Sequence, residues 1–447
     1  MTFRWLHLSD LHFREDERWD RRATLQALIA KAGELKAKGL APDLVFVTGD
    51  IAWSGKPKEY EQATRFFHEL NKVLALDPKD RWFLVPGNHD VDRSRIKAAH
   101  RAITASLQDE ATVEELLLHD PDSLRSLSTR LEAYYAFAGD FLGAARALQT
   151  DRPWRTDVRE FDGVSIGILQ LNSAWISAGG EADNANLLVG EAQVREALDA
   201  TPDAFIRIAL MHHPMRNLRE FDANRVESIL GAKGGAAFLL RGHLHLNRTK
   251  IQYSPDGQVL EIAAGTLYTD EASWPRGFHL GEVDLGKGET RIHLFRYSGE
   301  ASGFFAPDNL TYVNAPDGVC KIKLPKAFRL GVKEATAVNA VSEDQRISFT
   351  ARYRAAAANY HGHARFIGFP NQATRPNARV SDLFVPLRMK WREPAFIRSQ
   401  PESCTTAWIA NYLLGPPIRH HGRRVVVLGD PGSGKTTLSR FMVMLAA

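Results

Sequence analysis

The chain has 447 residues, a length that suits two or three domains better than one core. Its 44% hydrophobic and 25% charged residues sit at globular averages and exclude a collagen-like or low-complexity chain, while a net charge of +4 permits a phosphate-rich partner without requiring one. Cys320 and Cys404 belong to no CxxC, so no disulfide framework or structural zinc is implied. With no signal peptide and no apolar run near 18 residues, the expected setting is the cytoplasm, with no membrane partner.

From residue 3 onward short apolar runs alternate with amphipathic stretches, the rhythm of a layered α/β domain. Residues 3–8 predict a strand followed by Asp10-Leu-His12. A helix over 22–38 leads to a strand over 44–47 and then Gly49-Asp50, and a helix over 59–76 leads to a strand over 81–85 and then Gly87-Asn88-His89-Asp90. Residues 95–150 break the rhythm with helical stretches divided at His119-Asp-Pro-Asp122, and predict an inserted helical cap. Alternation resumes over 164–171, 191–198, 205–211, 225–230 and 236–240; His212-His213-Pro214 follows the strand-like run 205–211 and Gly242-His243-Leu-His245 the run 236–240. A turn at Asp256-Gly257 predicts a hairpin between 249–253 and 259–263.

Five polar blocks thus each follow an apolar run, and strand ends along one sheet edge are where such a fold gathers a site from distant positions. Carboxylate and amide oxygens mixed with imidazole nitrogens suit borderline divalent ions such as Mn, Fe, Ni or Zn, whereas Ca or Mg would favour oxygen alone. Singly, Asp-x-His and Gly-Asp are more often turns. As an ordered set they point to two divalent metal ions sharing one carboxylate.

The five blocks resemble the calcineurin-like metallophosphoesterases over residues 1–300, which implies a four-layer α/β/β/α sandwich and phosphoester hydrolysis. Carried over by motif, the resemblance implies that Asp10, His12, Asp50 and His245 hold one ion and Asp50, Asn88, His212 and His243 the other, with Asp50 bridging. His89 would be metal-free and act on the leaving oxygen, with Asp90 orienting it. His212 takes the family's His-x-Pro position, although His213 beside it offers the same chemistry. His7 is expected in the core or behind the ligands, and His361-Gly-His363, without carboxylate companions, in a solvated loop.

Residues 301–400 lack periodicity and carry Pro307, Pro316, Pro325, Pro370, Pro376, Pro386 and Pro394, which suggests a connector. In 401–447 the apolar run 424–428 precedes Gly429-Asp-Pro-Gly432-Ser433-Gly434-Lys435-Thr436-Thr437, a phosphate-binding loop suited to ATP and Mg. The stretch from 380 resembles the start of NACHT-type STAND ATPases. That implies the truncated start of a P-loop NTPase, too short here to hydrolyse ATP, in a larger antiphage-defence sensor with the phosphoesterase as effector; a homo-oligomer would form through the missing region. Three functions are then open. One is a nuclease acting on DNA or RNA, with Arg93, Arg95, Lys97 and Arg101 tracking the backbone or merely solvating a helix face. Another is a cyclic- or small-nucleotide phosphodiesterase or phosphatase roofed by the insertion. The third is a catalytically silent binding or oligomerisation module.

Overall fold

The structure, a computed structural model, describes residues 1–325 apart from 17–18, 246–247, 255–256, 269–273 and 300–302, together with 328 and the short strands at 363–364, 378–379, 388–390 and 403–405. The chain divides into two units, Met1–Val332 and Lys333–Ala447. Within the second, the described strands form two short antiparallel pairs. The stretch Gly429 to Thr437, expected to be a phosphate-binding loop, lies outside the described residues, as do the side chains of His361 and His363.

The first unit runs in order β1 (Thr2–Leu8), α1 (Trp19–Ala37), β2 (Leu44–Thr48), α2 (Pro57–Leu74), α3 (Pro78–Arg81), β3 (Trp82–Val85), α4 (Ala98–Ser106), α5 (Glu110–His119), α6 (Pro121–Ser128), α7 (Glu132–Leu142), β4 (Arg155–Phe161), β5 (Val164–Gln170), α8 (Glu191–Asp199), β6 (Ile206–Leu210), α9 (Glu220–Gly231), β7 (Phe238–Arg241), β8 (Arg248–Ser254), β9 (Gly257–Ala263), β10 (Gly277–Asp284), β11 (Glu289–Ser298), β12 (Phe304–Pro307) and β13 (Val319–Lys323). One sheet has the order β12-β11-β10-β1-β2-β3 with β13 also on β11; the other has β4-β5-β6-β7-β9-β8.

The two sheets pack face to face. Phe3 and Trp5 of β1, Leu44 and Phe46 of β2 and Phe83 and Val85 of β3 meet Ile166, Ile206, Ile208, Phe238 and Leu240 in one inner cluster. The alternate residues, among them Leu6, Leu8, Val45, Val47 and Leu84, face outward onto α1, α2 and α7, while Leu169, Ala209 and Leu239 face α8 and α9. Burial on both faces explains why these strands read as continuous apolar runs instead of alternating ones. Gly281 lies opposite Trp5 in the β1–β10 register, and a Cβ there would run into the indole.

The predicted helical insertion is helical, and the break at 119–122 is a joint. His119 ends α5, Asp120 caps α6 by accepting the Ser123 N–H at 2.9 Å, and Pro121 takes the first helical position. Its apolar side chains divide between two cores: Tyr134, Phe137 and Phe141 of α7 join α2, whereas Val113, Leu116, Leu117 and Leu124 join α8. The insertion therefore braces both outer helix layers. The hairpin of β8 and β9 forms with Ser254 opposite Gly257; Asp256 in its turn is outside the described residues. Beyond residue 300, where a connector was expected, β12 and β13 still pair with β11. No helix among the described residues is long and apolar enough to cross a membrane.

Candidate metal centre and active site

β1, β2 and β3 are parallel, as are β5, β6 and β7, so the loops that follow β1, β2, β3, β6 and β7 leave at the C-terminal edges of the two sheets. Those five loops carry the five polar blocks. In the groups Asp10–His12–His245, Asp10–Asp50–His212, His12–Asp50–His89 and His212–His213–His243, the candidate ligand atoms lie within 4.8 Å of one another. Asp50 stands in two of them and joins the halves of the ring.

The contacts are short. His245 Nε2 is 3.3 Å from Asp10 Oδ1 and His212 Nε2 is 3.2 Å from Asp50 Oδ2. His12 Nε2 faces His245 Nε2 at 3.5 Å, and Asn88 Oδ1 lies 3.1 Å from His243 Nδ1. His212 Nδ1 donates to the Thr48 carbonyl at 2.6 Å, which leaves Nε2 for the ring. The glycines of the motifs make room: a Cβ on Gly87 would collide with the Asp50 carboxylate, and one on Gly242 with Ser9 and Asp10.

The backbone is held unusually here. Asp10, His12, Asp50, His243 and His245 all lie in the left-handed region, with φ between 50° and 71°. They are five of the eight non-glycine residues with positive φ among those described. Such conformations cost about 1–3 kcal/mol each and persist where the surroundings impose them.

Charge is arranged to match. Burial alone would raise the Asp10 pKa, but the hydrogen bond and charge of His245, with His212, hold it at about 2. Asp50 is likewise held well below the usual carboxylate range by His212, His89 and His12 against the opposing effect of burial. Burial pushes His12 down to about 3 and His243 to about 4, so both rings are neutral and can offer a lone pair. Asp10 Oδ1 and His212 Nε2 are buried, and each faces another candidate ligand, His245 Nε2 and Asp50 Oδ2 in turn. Buried anionic oxygens and imidazole nitrogens turned on one another in this way fit divalent cations.

Residues 3–247, more than half of the chain, match the calcineurin-like phosphoesterase family. The chain belongs to that family. This calcineurin-like phosphoesterase is therefore a hydrolase of phosphoric esters, and its Asp/His clusters are those of a family that uses divalent metals. No curated protein matches the sequence. Among solved structures, a purple acid phosphatase from yellow lupin (Lupinus luteus) seeds is 12% identical with a TM-score of 0.42; the likeness covers 73% of this chain and 55% of the lupin chain, so the present chain spans little more than half of that enzyme. Vacuolar Protein Sorting 29 from Cryptosporidium parvum is 11% identical over 72% of this chain and 98% of its own, with a TM-score of 0.26.

His89 stands at the mouth of the calcineurin-like ring. Its backbone N–H donates to Asp50 Oδ1 at 2.8 Å, and its ring lies between His12 and Trp53, with centroids 4.7 and 4.8 Å away. Asp90, expected to orient it, makes its hydrogen bonds elsewhere. The Asp90 carboxylate accepts from the N–H groups of Ala52, Gly87 and Ile51 and from the Tyr60 hydroxyl, tying the loop after β2 to the loop after β3. Burial, with the nearby Asp50 charge, raises its pKa to about 6. The partner of the His89 ring is instead the Trp53 carbonyl, which accepts from Nδ1 at 2.7 Å.

Sequence reasoning missed Trp53, Tyr60 and Ser173. His213 is more involved than its place beside His212 suggested, with Nε2 3.0 Å from Asn88 Oδ1 and Nδ1 2.9 Å from Ser173 Oγ. His7 is in the core, paired with His279 at 3.0 Å and with Thr48 Oγ1 at 2.8 Å. The basic run after Asp90 is not one uniform face: Arg95 pairs with Glu132, while Arg101 lines a separate cavity with His100 and Arg219.

Proposed function

We propose that this chain is a phosphodiesterase acting on nucleic acid, a nuclease whose two divalent ions, Mn being the first to try, are held by Asp10, His12, Asp50 and His245 and by Asp50, Asn88, His212 and His243. The observation that carries the reading is the setting of His89: Nδ1 is tied to the Trp53 carbonyl beside the ring of ligand atoms, which leaves Nε2 to meet a substrate. Bound there, two divalent ions would polarise the phosphoryl oxygens and activate the attacking water.

The protein's own groups do the rest. Asp50 is fixed by the His89 N–H on one oxygen and faces His212 with the other. The Trp53 carbonyl fixes the His89 tautomer with its proton on Nδ1 in the neutral ring; on protonation the Nε2 proton is the one free to pass to the departing oxygen. Asp90 holds the two loops in register. The insertion supports a polymeric substrate over a roofed small one, because its apolar surface is engaged with the outer helix layers.

In the same reading the phosphate loop at Gly429, Gly432, Ser433, Gly434, Lys435, Thr436 and Thr437 would bind ATP and Mg, as in a STAND-type defence protein, and regulate the nuclease through homo-oligomer formation. The deciding experiment is to incubate the Mn-loaded protein with single-stranded DNA, duplex DNA, RNA and cyclic nucleotides, with a chelated control. Chelator-sensitive cleavage of a polymer supports the nuclease; turnover of cyclic or small nucleotides alone would replace it with a small-nucleotide phosphodiesterase.

A further inference from the structure

Beside the metal centre, between α1 and α2, lies a cavity of about 240 Å³ lined by Phe13, Arg14, Arg21, Arg22, Arg65 and Glu69 among others. Of its four arginines, Arg14 lies over the Trp53 ring and Arg21, buried, over the Tyr268 ring. Arg22 and Arg65, on different helices, are exposed, and among the described residues neither has a carboxylate within ion-pair reach. Arg14 follows the ligand His12 by two residues, and its guanidinium lies 3.9 Å from the centre of the Trp53 ring. That ring is also 5.4 Å from His12 and 4.8 Å from His89, and it remains 39% exposed. His89, Trp53, Arg14 and the arginine-lined cleft are therefore successive neighbours.

From this juxtaposition we infer that the cleft binds the phosphate backbone of an unpaired polynucleotide strand running away from the metal centre, with Trp53 as the stacking platform for the base next to the scissile bond. The inference rests on the phosphodiesterase reading above and names where its polymer lies. Guanidinium groups spaced along a groove match phosphates by paired N–H donors, and an exposed indole accepts any base by stacking. Stacking needs a base already out of a duplex, so a single strand is the partner favoured.

The test uses the full chain in EDTA, so that nothing is cleaved, and measures fluorescence anisotropy of a labelled oligothymidylate at several salt concentrations. The Arg22→Glu/Arg65→Glu double variant is expected to weaken binding at least about tenfold and to flatten the plot of log affinity against log salt by about 1.4, since each lost phosphate contact on a single strand is worth about 0.7. Trp53→Leu should weaken binding by about 5- to 100-fold. With Mn, hydrolysis of bis(4-nitrophenyl) phosphate by the double arginine variant should equal that of the wild type. Unchanged oligonucleotide affinity or salt slope in the double variant overturns the inference, as does an equal loss of small-diester hydrolysis, which would place the effect in the ring or the fold. Displacement of the strand by inorganic phosphate at equal phosphate concentration would make the cleft a free-phosphate site and also overturn it. A wild type that cleaves no diester with Mn or Ni overturns the phosphodiesterase reading instead, whatever the cleft binds.

Discussion

At the scale of single residues, the division of labour around Asp50 and His89 makes opposite predictions for two alanine substitutions. His89→Ala should keep both ions, measured by metal analysis, while turnover falls by about 10²–10⁴ because a proton donor is lost without a ligand. Asp50→Ala should lose metal and turnover together; full metal content in that variant would remove Asp50 from the bridging position. Asp90→Asn is a third case. Its two oxygens serve three backbone N–H groups and the Tyr60 hydroxyl, so an amide NH2 must turn a donor toward other donors. A loss of about 1–3 kcal/mol of stability, seen as a lower melting temperature, should accompany weaker metal binding, and Tyr60→Phe should cost less. The ring was legible in the sequence because Asp, Asn and His at strand ends carry their chemistry in their names. What orients His89 was not legible, since the group is a backbone carbonyl and every residue has one.

At the scale of elements, β1 and β10 are joined by six registered residue pairs that end at His7 and His279. Burial holds the His279 pKa down to about 3, and burial, with the His279 ring and the Arg241 guanidinium nearby, holds His7 well below its usual value. Both rings are therefore neutral in the folded protein but titrate near 6.5 when unfolded. Unfolding takes up protons below that value, so the stability these groups contribute is present above about pH 6.5 and is lost as the pH falls toward the folded pKa, each by about 1.4 kcal/mol per pH unit. Denaturant melts of wild type and His279→Gln between pH 7 and pH 5 should diverge, the variant showing the shallower decline; parallel curves would mean that His279 is charged in the folded state. The strands were readable from runs such as Trp82-Phe-Leu-Val85, yet nothing in those runs says which sheet a strand joins. Placing β10 beside β1 depends on contacts across some 270 residues, which no local pattern encodes.

At the scale of the whole molecule, the family match ends at residue 247, whereas the sheet that delivers Asp10 and Asp50 is completed by β10 and β11, at 277–298. A fragment cut at 247 would leave the β1 edge unpaired and the inner layer without Val283, Ile292 and Leu294. Residues 1–247 should accordingly aggregate or melt without cooperativity, while residues 1–325 should unfold in one transition and retain Mn-dependent diester hydrolysis. A soluble, cooperative 1–247 fragment would show that the later strands are dispensable. The α/β layering was legible from the alternation of runs; the extent of the domain was not, because the proline-rich stretch after residue 300 hides two strands that finish the sheet.

The left-handed backbone at Asp10, His12, Asp50, His243 and His245 has an evolutionary consequence. Glycine adopts that geometry without steric cost, and asparagine tolerates it better than most residues. A lineage that gave up catalysis but kept the scaffold would therefore gain heat resistance by replacing these five positions first. Durable, inactive descendants should be recognisable by glycine or asparagine in those places, and a laboratory selection for thermal endurance alone should retrace the same substitutions.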